Sequence, residues 1–309
     1  MTRIRLPFIA IFIGLLCVIN HPIFAINGEK LAPYAYEDTR QLVTLVEEAA
    51  ALIEQKGDLA FQDFAVPNSK WLNDKYYLFV YHINGDCLFH PIQPDLVGKN
   101  LIHFKDLEQK PVIALITAVG KKPEPDANGW VFYLWELPNH YAPSWKSSYI
   151  RKAITPQGKT YVVGSGLYDM KIEKIFIKER VDAAVDLILT KGKDKAFAEL
   201  KDPSNSSHVL NSYIFVLDEK GNIVVDPAFP SILQRSLANF RDINGRAIVK
   251  EVQEQLKYTD SMWVSFLWHK YNNQPPSRML AYIRKIRVGN EIFFVYETFT
   301  PAKPIWMKI

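Results

Sequence analysis

Apolar residues recur at helical spacing between Thr39 and Gln55. Leu42, Leu45, Val46, Ala49, Leu52 and Ile53 share one face, and Gly57 supplies a stop. The pattern then changes to strands. Tyr76 to Ile83 and Cys87 to Phe89 flank Asn84-Gly85, a dipeptide suited to a tight hairpin. Short irregular or helical segments run from Leu101 to Ala118. Three more β-rich runs follow: Trp130 to Leu137, Ser147 to Ile154 and Thr160 to Leu167, the last two joined across Pro156-Gln157-Gly158. In the first of these, a side-chain period of two puts Val131, Tyr133 and Trp135 on one face and Trp130, Phe132 and Leu134 on the other. Both faces are apolar, so this strand is expected to be covered on both sides.

The pattern then repeats. Lys56-Gly57-Asp58-Leu59-Ala60-Phe61 returns as Lys191-Gly192-Lys193-Asp194-Lys195-Ala196-Phe197, each closing a helix-patterned segment; the second is centred on Val181 to Leu189. Tyr77-Leu78-Phe79-Val80, Gly85 and His90-Pro91 align with Tyr213-Ile214-Phe215-Val216, Gly221 and Asp226-Pro227 at an offset of 136. That offset also pairs Leu101, Phe104 and Asp106 with Leu237, Phe240 and Asp242. After a three-residue change in loop length, Trp130 to Trp135 pairs with Trp263 to Trp268, Pro143-Ser144 with Pro276-Ser277, and Tyr149 to Lys152 with Tyr282 to Lys285. A repeat fixes architecture more firmly than propensity does. The expected chain is two copies of one α+β module, each a long helix packed on a five-stranded antiparallel sheet, with the inserted segments covering the other face. The expected units are residues 26–170 and 171–303, with a tail at 304–309. A cup of this kind is a natural ligand pocket.

The N-terminus changes the picture of compartment. Arg3 and Arg5 precede an apolar run from Leu6 to Ile19, and Ala25 closes the stretch Ile23-Phe24-Ala25. Residues 1–25 have the form of a signal peptide, and the apolar run is shorter than the ~20 residues that span a bilayer. The expected location is periplasmic or secreted; Ile23 is a poor −3 residue, which keeps an uncleaved anchoring helix as the alternative. Cleavage removes Arg3, Arg5 and Cys17, so the charge falls from +4 to +2 and Cys87 stands alone. One thiol forms no internal disulfide, and Cys87, beside Leu88 and Phe89, reads as a small buried hydrophobe. At 48% hydrophobic and 13% aromatic, the chain is too apolar for disorder, and its 37 Lys/Arg and 33 Asp/Glu form no clustered basic stripe for nucleic acid.

The hairpin ending in His90-Pro91, the run Leu96-Val97-Gly98-Lys99-Asn100-Leu101, Tyr133-x-Trp135, Lys146-x-x-Tyr149 and Gly164-Ser165-Gly166-Leu167-Tyr168 occur in an order that resembles the Cache family of extracellular sensor domains. The similarity is to the single-Cache type 2 group, in tandem, over about Asp38 to Thr300. It implies a PAS-like fold in each copy and binding of small extracytoplasmic metabolites, commonly short carboxylates. Family members usually precede a membrane helix and a kinase, cyclase or chemotaxis domain. This sequence ends at Ile309, so signalling is expected to pass through a membrane receptor or kinase partner.

The family pattern places the Tyr133 and Trp135 face toward ligand, where a phenol and an indole offer apolar walls with donor tips. An aromatic stripe is also an ordinary core pattern. Lys146 is the more telling residue: an ammonium under a lid is costly to desolvate, so a lysine aimed into a pocket needs an anion to complete the site. A short organic acid supplies one, and charge-assisted hydrogen bonds would favour it over an alcohol or sugar. The competing reading is a solvated loop lysine. His90 either lines the mouth or is a structural histidine, and Tyr168 either adds a hydroxyl or is core. In the second copy Phe266, Trp268 and Arg278 are the weaker candidates. Met279 aligns with Lys146, and Arg278, one position earlier, falls on the opposite face of a strand. Asp226 replaces His90.

No nucleophile elbow, phosphate loop, H-E-x-x-H or C-x-x-C occurs, and the seven histidines are not at metal-ligand spacing, so neither catalysis nor a metal or cofactor is expected. Gly164-Ser165-Gly166 reads as a tight or bulged strand. The expectation is an exported sensor that captures a short organic acid in its first module and has no output domain of its own. The alternative is a secreted or periplasmic scaffold using the same modules for protein contact.

Overall fold

Helix α2, Glu37–Lys56, forms where the apolar stripe predicts it, and Leu42, Val43, Val46, Ala49, Ala50 and Ile53 are completely buried along it. A computed structural model describes residues 28–137, 142–202, 212–228, 231, 233–268 and 276–301. The leader and the 304–309 tail lie outside these residues. Around α2 the first copy contains α1 (Gly28–Leu31), α3 (Ala60–Phe64), β1 (Phe79–His82), β2 (Cys87–Phe89), α4 (Val112–Gly120), β3 (Asn128–Glu136), β4 (Pro143–Ile154) and β5 (Thr160–Tyr168). The second contains α5 (Lys174–Lys191), α6 (Lys193–Lys201), β6 (Ile214–Asp218), β7 (Ile223–Val225), α7 (Ile248–Gln255), β8 (Ser261–Trp268), β9 (Ser277–Val288) and β10 (Glu291–Phe299).

Each copy builds one five-stranded antiparallel sheet, in the orders β2-β1-β5-β4-β3 and β7-β6-β10-β9-β8. The two orders are the same once the copies are superposed by sequence. Even the irregularities match, since the register shifts between Val80 and Tyr81 in one hairpin and between Val216 and Leu217 in the other. The α+β reading therefore holds for both modules. Strand β4 begins four residues earlier than its apolar pattern suggests, because Pro143 to Lys146 continue to pair with β3.

In the first copy one sheet face packs on α2 through Val80, Tyr149, Ala153, Val163 and Leu167. The other face carries Tyr77, Phe79, Tyr81, Tyr133, Trp135 and Val162, covered by Val112, Ile113, Ile116 and Val119 at α4. The insertion between β2 and β3 thus supplies the second layer expected of it. Asp106 holds that insertion in place: its carboxylate accepts from the Glu108 and Lys110 N–H groups and, across the gap, from Leu134 N–H of β3. Asp242 does the same in the second copy, accepting from Arg246 and Leu267 N–H groups. This shared staple is why both aspartates recur.

The start of the second copy also seals the first. The Glu173 carboxylate accepts from the Ala35 and Tyr36 N–H groups at the start of α2, an end without a side-chain cap of its own. Phe176 of α5 packs on Trp130 with ring centroids 4.7 Å apart and on Phe132 at 5.2 Å.

The Gly164-Ser165-Gly166 run is not a bulge. Pairing of β4 with β5 is continuous from Ile154 opposite Thr160 to Lys146 opposite Tyr168. The glycines instead leave room for their neighbours. A Cβ at Gly164 would lie 2.6 Å from both Ile150 Cδ1 and Phe79 Cζ, and one at Gly166 would lie 2.3 Å from Ser148 Oγ and 2.8 Å from Lys146 Cε. Gly164→Ala is expected to cost about 1–3 kcal/mol by overpacking, measured by denaturant unfolding. A change within about 0.5 kcal/mol, the usual range of a surface substitution, would show that Phe79 and Ile150 have slack.

Candidate ligand pocket between the sheet and helix α4

The pairing of β3 with β4 sets Tyr133 directly opposite Lys146, and the pairing of β4 with β5 sets Lys146 opposite Tyr168. Directly opposed residues share a face of an antiparallel sheet. These three side chains therefore stand in a row across the α4 side. Lys146 is not a solvated loop lysine: it lies on β4 and is 1% exposed. Its Nζ donates to Tyr77 Oη at 2.6 Å and sits 3.9 Å from the centre of the Tyr77 ring. The rings of Phe79 and Tyr168 are 5.3 and 5.4 Å from it. Among the described residues no carboxylate pairs with this amine, and desolvation alone pushes its pKa well below the usual lysine value.

Phe79, Tyr81, His90, Ile113, Ile116, Tyr133, Trp135 and Lys146 line a narrow seam between the sheet and α4. The space is finely divided, and none of it would hold a water molecule. The walls must move to admit a ligand. Tyr133 is buried with its hydroxyl bonded to Ser148 Oγ at 2.9 Å. Trp135 meets Phe104 edge-on, with centroids 5.3 Å apart, and the Tyr133 ring at 5.7 Å. The aromatic stripe is thus wall and core at once.

His90 follows β2 and packs between Tyr77, 5.4 Å away, and Trp135, 6.1 Å away. Its Nδ1 accepts from the Gln93 N–H, which leaves the ring proton on Nε2. Burial is the main cause that pushes its pKa down to about 3. His90 is therefore a neutral, positioned ring at the pocket. Tyr168 extends the polar thread outward: its hydroxyl donates to Glu136 O at 2.6 Å, so Tyr77 Oη donates to Tyr168 Oη at 3.2 Å. The amine is linked in this way to the rim of the sheet.

The structure thus brings Tyr133, Trp135, Lys146, His90 and Tyr168 to one side of one sheet. Sequence reasoning missed Tyr77, Phe79 and Tyr81, which alternate along β1 and the segment before it, and Ile113 and Ile116 of α4. The alternation was visible in Tyr77-x-Phe79-x-Tyr81; the helical spacing of α4 was masked by its uniformly apolar run. Cys87 is buried beside this layer, and desolvation pushes its thiol up to about 11, which leaves it no nucleophilic thiolate at neutral pH.

The second copy keeps the frame and changes the contents. Met279 lies opposite Phe266, where Lys146 lies opposite Tyr133. Arg278 lies opposite Leu267, on the other face, and is exposed, so it supplies no cation at the position of Lys146. Gly164 is replaced by Tyr296, whose ring stacks on Phe215 at 4.9 Å. Trp268 is 42% exposed against 8% for Trp135. Asp226 is buried and accepts from the Ala228 N–H.

Residues 65–173 match the family described as Cache domain, and residues 177–288 match Single Cache domain 2. The chain carries two Cache domains in tandem. Cache domains are sensory modules that bind small molecules. The first match begins after α3, so α2 precedes it. Among solved structures, a periplasmic sensor domain of a chemotaxis protein is 25% identical over 42% of this chain and 94% of that one, with a TM-score of 0.36. A Cache chemosensory domain described for carboxylic acid recognition is 14% identical over 41% of this chain and 91% of that one, TM-score 0.35. The periplasmic sensory domain of a Campylobacter jejuni chemoreceptor is 12% identical over 91% of this chain and 90% of that one, TM-score 0.26. Among the described residues no helix is long and apolar enough to cross a membrane.

The buried neutral histidine of the first Cache domain gives a pH prediction. The unfolded chain binds a proton at His90 below about pH 6.5, whereas the folded protein does so only below about pH 3. Stability is therefore lost as pH falls through that window. Relative to His90→Asn, which keeps an acceptor near Nδ1, wild type is expected to lose about 1.4 kcal/mol more per pH unit. Parallel curves from urea unfolding at pH 3.5–6.5 would contradict this.

Proposed function

We propose that the first Cache domain captures a short organic acid, with its carboxylate seated on Lys146 and its carbon chain against the Phe79, Tyr133 and Trp135 rings. The observation that supports this reading is a fully buried amine, on the α4-facing side of the sheet, with a hydroxyl and aromatic rings around it and no acidic partner among the described residues. A buried cation is stable only with a compensating charge, and a carboxylate is the smallest common metabolite group that brings both charge and acceptor lone pairs. Because the walls must part to admit any ligand, a short acid demands the least movement.

His90 and the hydroxyls of Tyr77 and Tyr168 stand where they can satisfy the remaining oxygen lone pairs once the walls part. The second Cache domain takes no part in this chemistry, because Met279 offers no charge and a tyrosine, Tyr296, stands where the first domain has Gly164. The exported location suggested by the leader suits a sensor of extracytoplasmic acids whose signal passes to a membrane partner.

The test is calorimetric titration of the whole chain with acetate, propionate, lactate and pyruvate. At least one is expected to bind with a stoichiometry of one per chain. Lys146→Met removes a charge-assisted hydrogen bond worth about 2–3 kcal/mol, so affinity should fall roughly 30- to 150-fold. Met279→Ala should leave it unchanged. Undiminished binding by the Lys146 variant would place the acid elsewhere.

A further inference from the structure

The carboxylate reading takes Lys146 as the cation, yet among the described residues nothing around it stabilises a positive charge beyond ring faces and one hydroxyl. The groups facing it can be named element by element. From β1 and the segment before it come Tyr77, Phe79 and Tyr81; from β3 comes Tyr133, and from β5 comes Tyr168. His90 approaches after β2, Ser148 lies on the same face of β4, and α4 contributes Ile113 and Ile116. The four tyrosines are held neutral by burial, which pushes each hydroxyl above its usual pKa, and His90 is neutral as well. The Lys146 side chain is thus ringed by uncharged groups. Buried lysines in such surroundings shed their proton.

We propose that Lys146 is a neutral amine in the ligand-free protein and becomes an ammonium only as a carboxylate enters, so that each acid anion is bound together with one proton. This inference rests on the carboxylate reading of the same pocket. The balance is simple: the amine lone pair takes one proton from solvent, the carboxylate stays ionised, and the complex holds a neutral pair of opposite charges where the free pocket held none. No other bond forms or breaks.

The proton comes from water admitted with the acid as the walls part, since the closed space itself has room for none. The consequence is a sensor whose response to an acid is tuned by ambient pH. Affinity for the anion weakens tenfold for each unit of rising pH while the free amine is neutral and the complex is protonated. The second domain, with Met279 at this position, has no such linkage.

Two measurements on the full chain decide the matter. Calorimetry with acetate, propionate, lactate and pyruvate at pH 7.5, in phosphate and in Tris, reads proton uptake from the difference in observed heats. Close to one proton per acid is expected. Separately, the folding equilibrium constant of wild type relative to Lys146→Met is followed from pH 7 to 9 without ligand. The unfolded lysine is protonated and the folded one is not, so wild type should gain about tenfold per pH unit on the variant. Binding without proton uptake, together with parallel stability curves, would overturn the proton linkage and leave the carboxylate site standing. A tenfold slope with no binding of any acid would overturn the carboxylate reading and the linkage with it, leaving only a neutral buried amine.

Discussion

A primary amine buried among tyrosine and phenylalanine rings, with no acidic group among the described residues to meet it, is the constraint around which the first Cache domain is built. Lys146 reaches that position because β4 is paired on both sides, to Tyr133 and to Tyr168, so the side chain cannot turn to solvent without breaking the register. Gly166 makes its path possible, since any Cβ there would strike Lys146 Cε and Ser148 Oγ. Burying an amine in this way weakens the fold relative to an apolar residue of the same length. The second domain has that apolar residue, Met279, at the same place.

The comparison between the two domains separates scaffold from chemistry. Strand order, hairpin irregularity and the aspartate staple between the insertion and the third strand are common to both. The differences fall on the α4-facing side of the first sheet and its counterpart. There Ser148, Gly164 and Gly166 correspond by register to Ala281, Tyr296 and Thr298. The second domain has spent its polar groups elsewhere, on the helix-facing side, where Glu297 meets Arg180 and Ser212 in full burial and desolvation pushes its carboxyl up to about 7. That cluster ties α5 to its sheet, and the first domain has only the hydroxyl of Ser165 at the matching position.

Much of this was legible in the sequence because duplication constrains both copies at once. The order of Tyr77, His90, Trp130 and Tyr149 and their partners marked the strands, and the period of two placed Tyr133 and Trp135 together. The one-residue step between Met279 and Arg278 already told which side the arginine would take. Other features depend on contacts distant in sequence. Nothing local in Tyr77 reveals that its hydroxyl meets an amine 69 positions away. Nothing in Gly164-Ser165-Gly166 distinguishes a bulge from a flat strand that neighbouring side chains cross. Helix α4 is apolar on all sides, so its sequence carries no facing information. Glu173 gave no sign of holding the start of α2, because its two partners belong to the other copy's sequence.

The central claim is that the Lys146 amine is the seat of a bound carboxylate, and a crystal structure of the protein grown with a short organic acid tests it most directly. The account predicts a carboxylate oxygen within about 3 Å of Lys146 Nζ, with the Tyr133, Trp135 and α4 side chains displaced outward to make room. An acid bound only at the surface, or a pocket whose rings remain closed around an amine that meets no carboxylate at saturating acid, would contradict it.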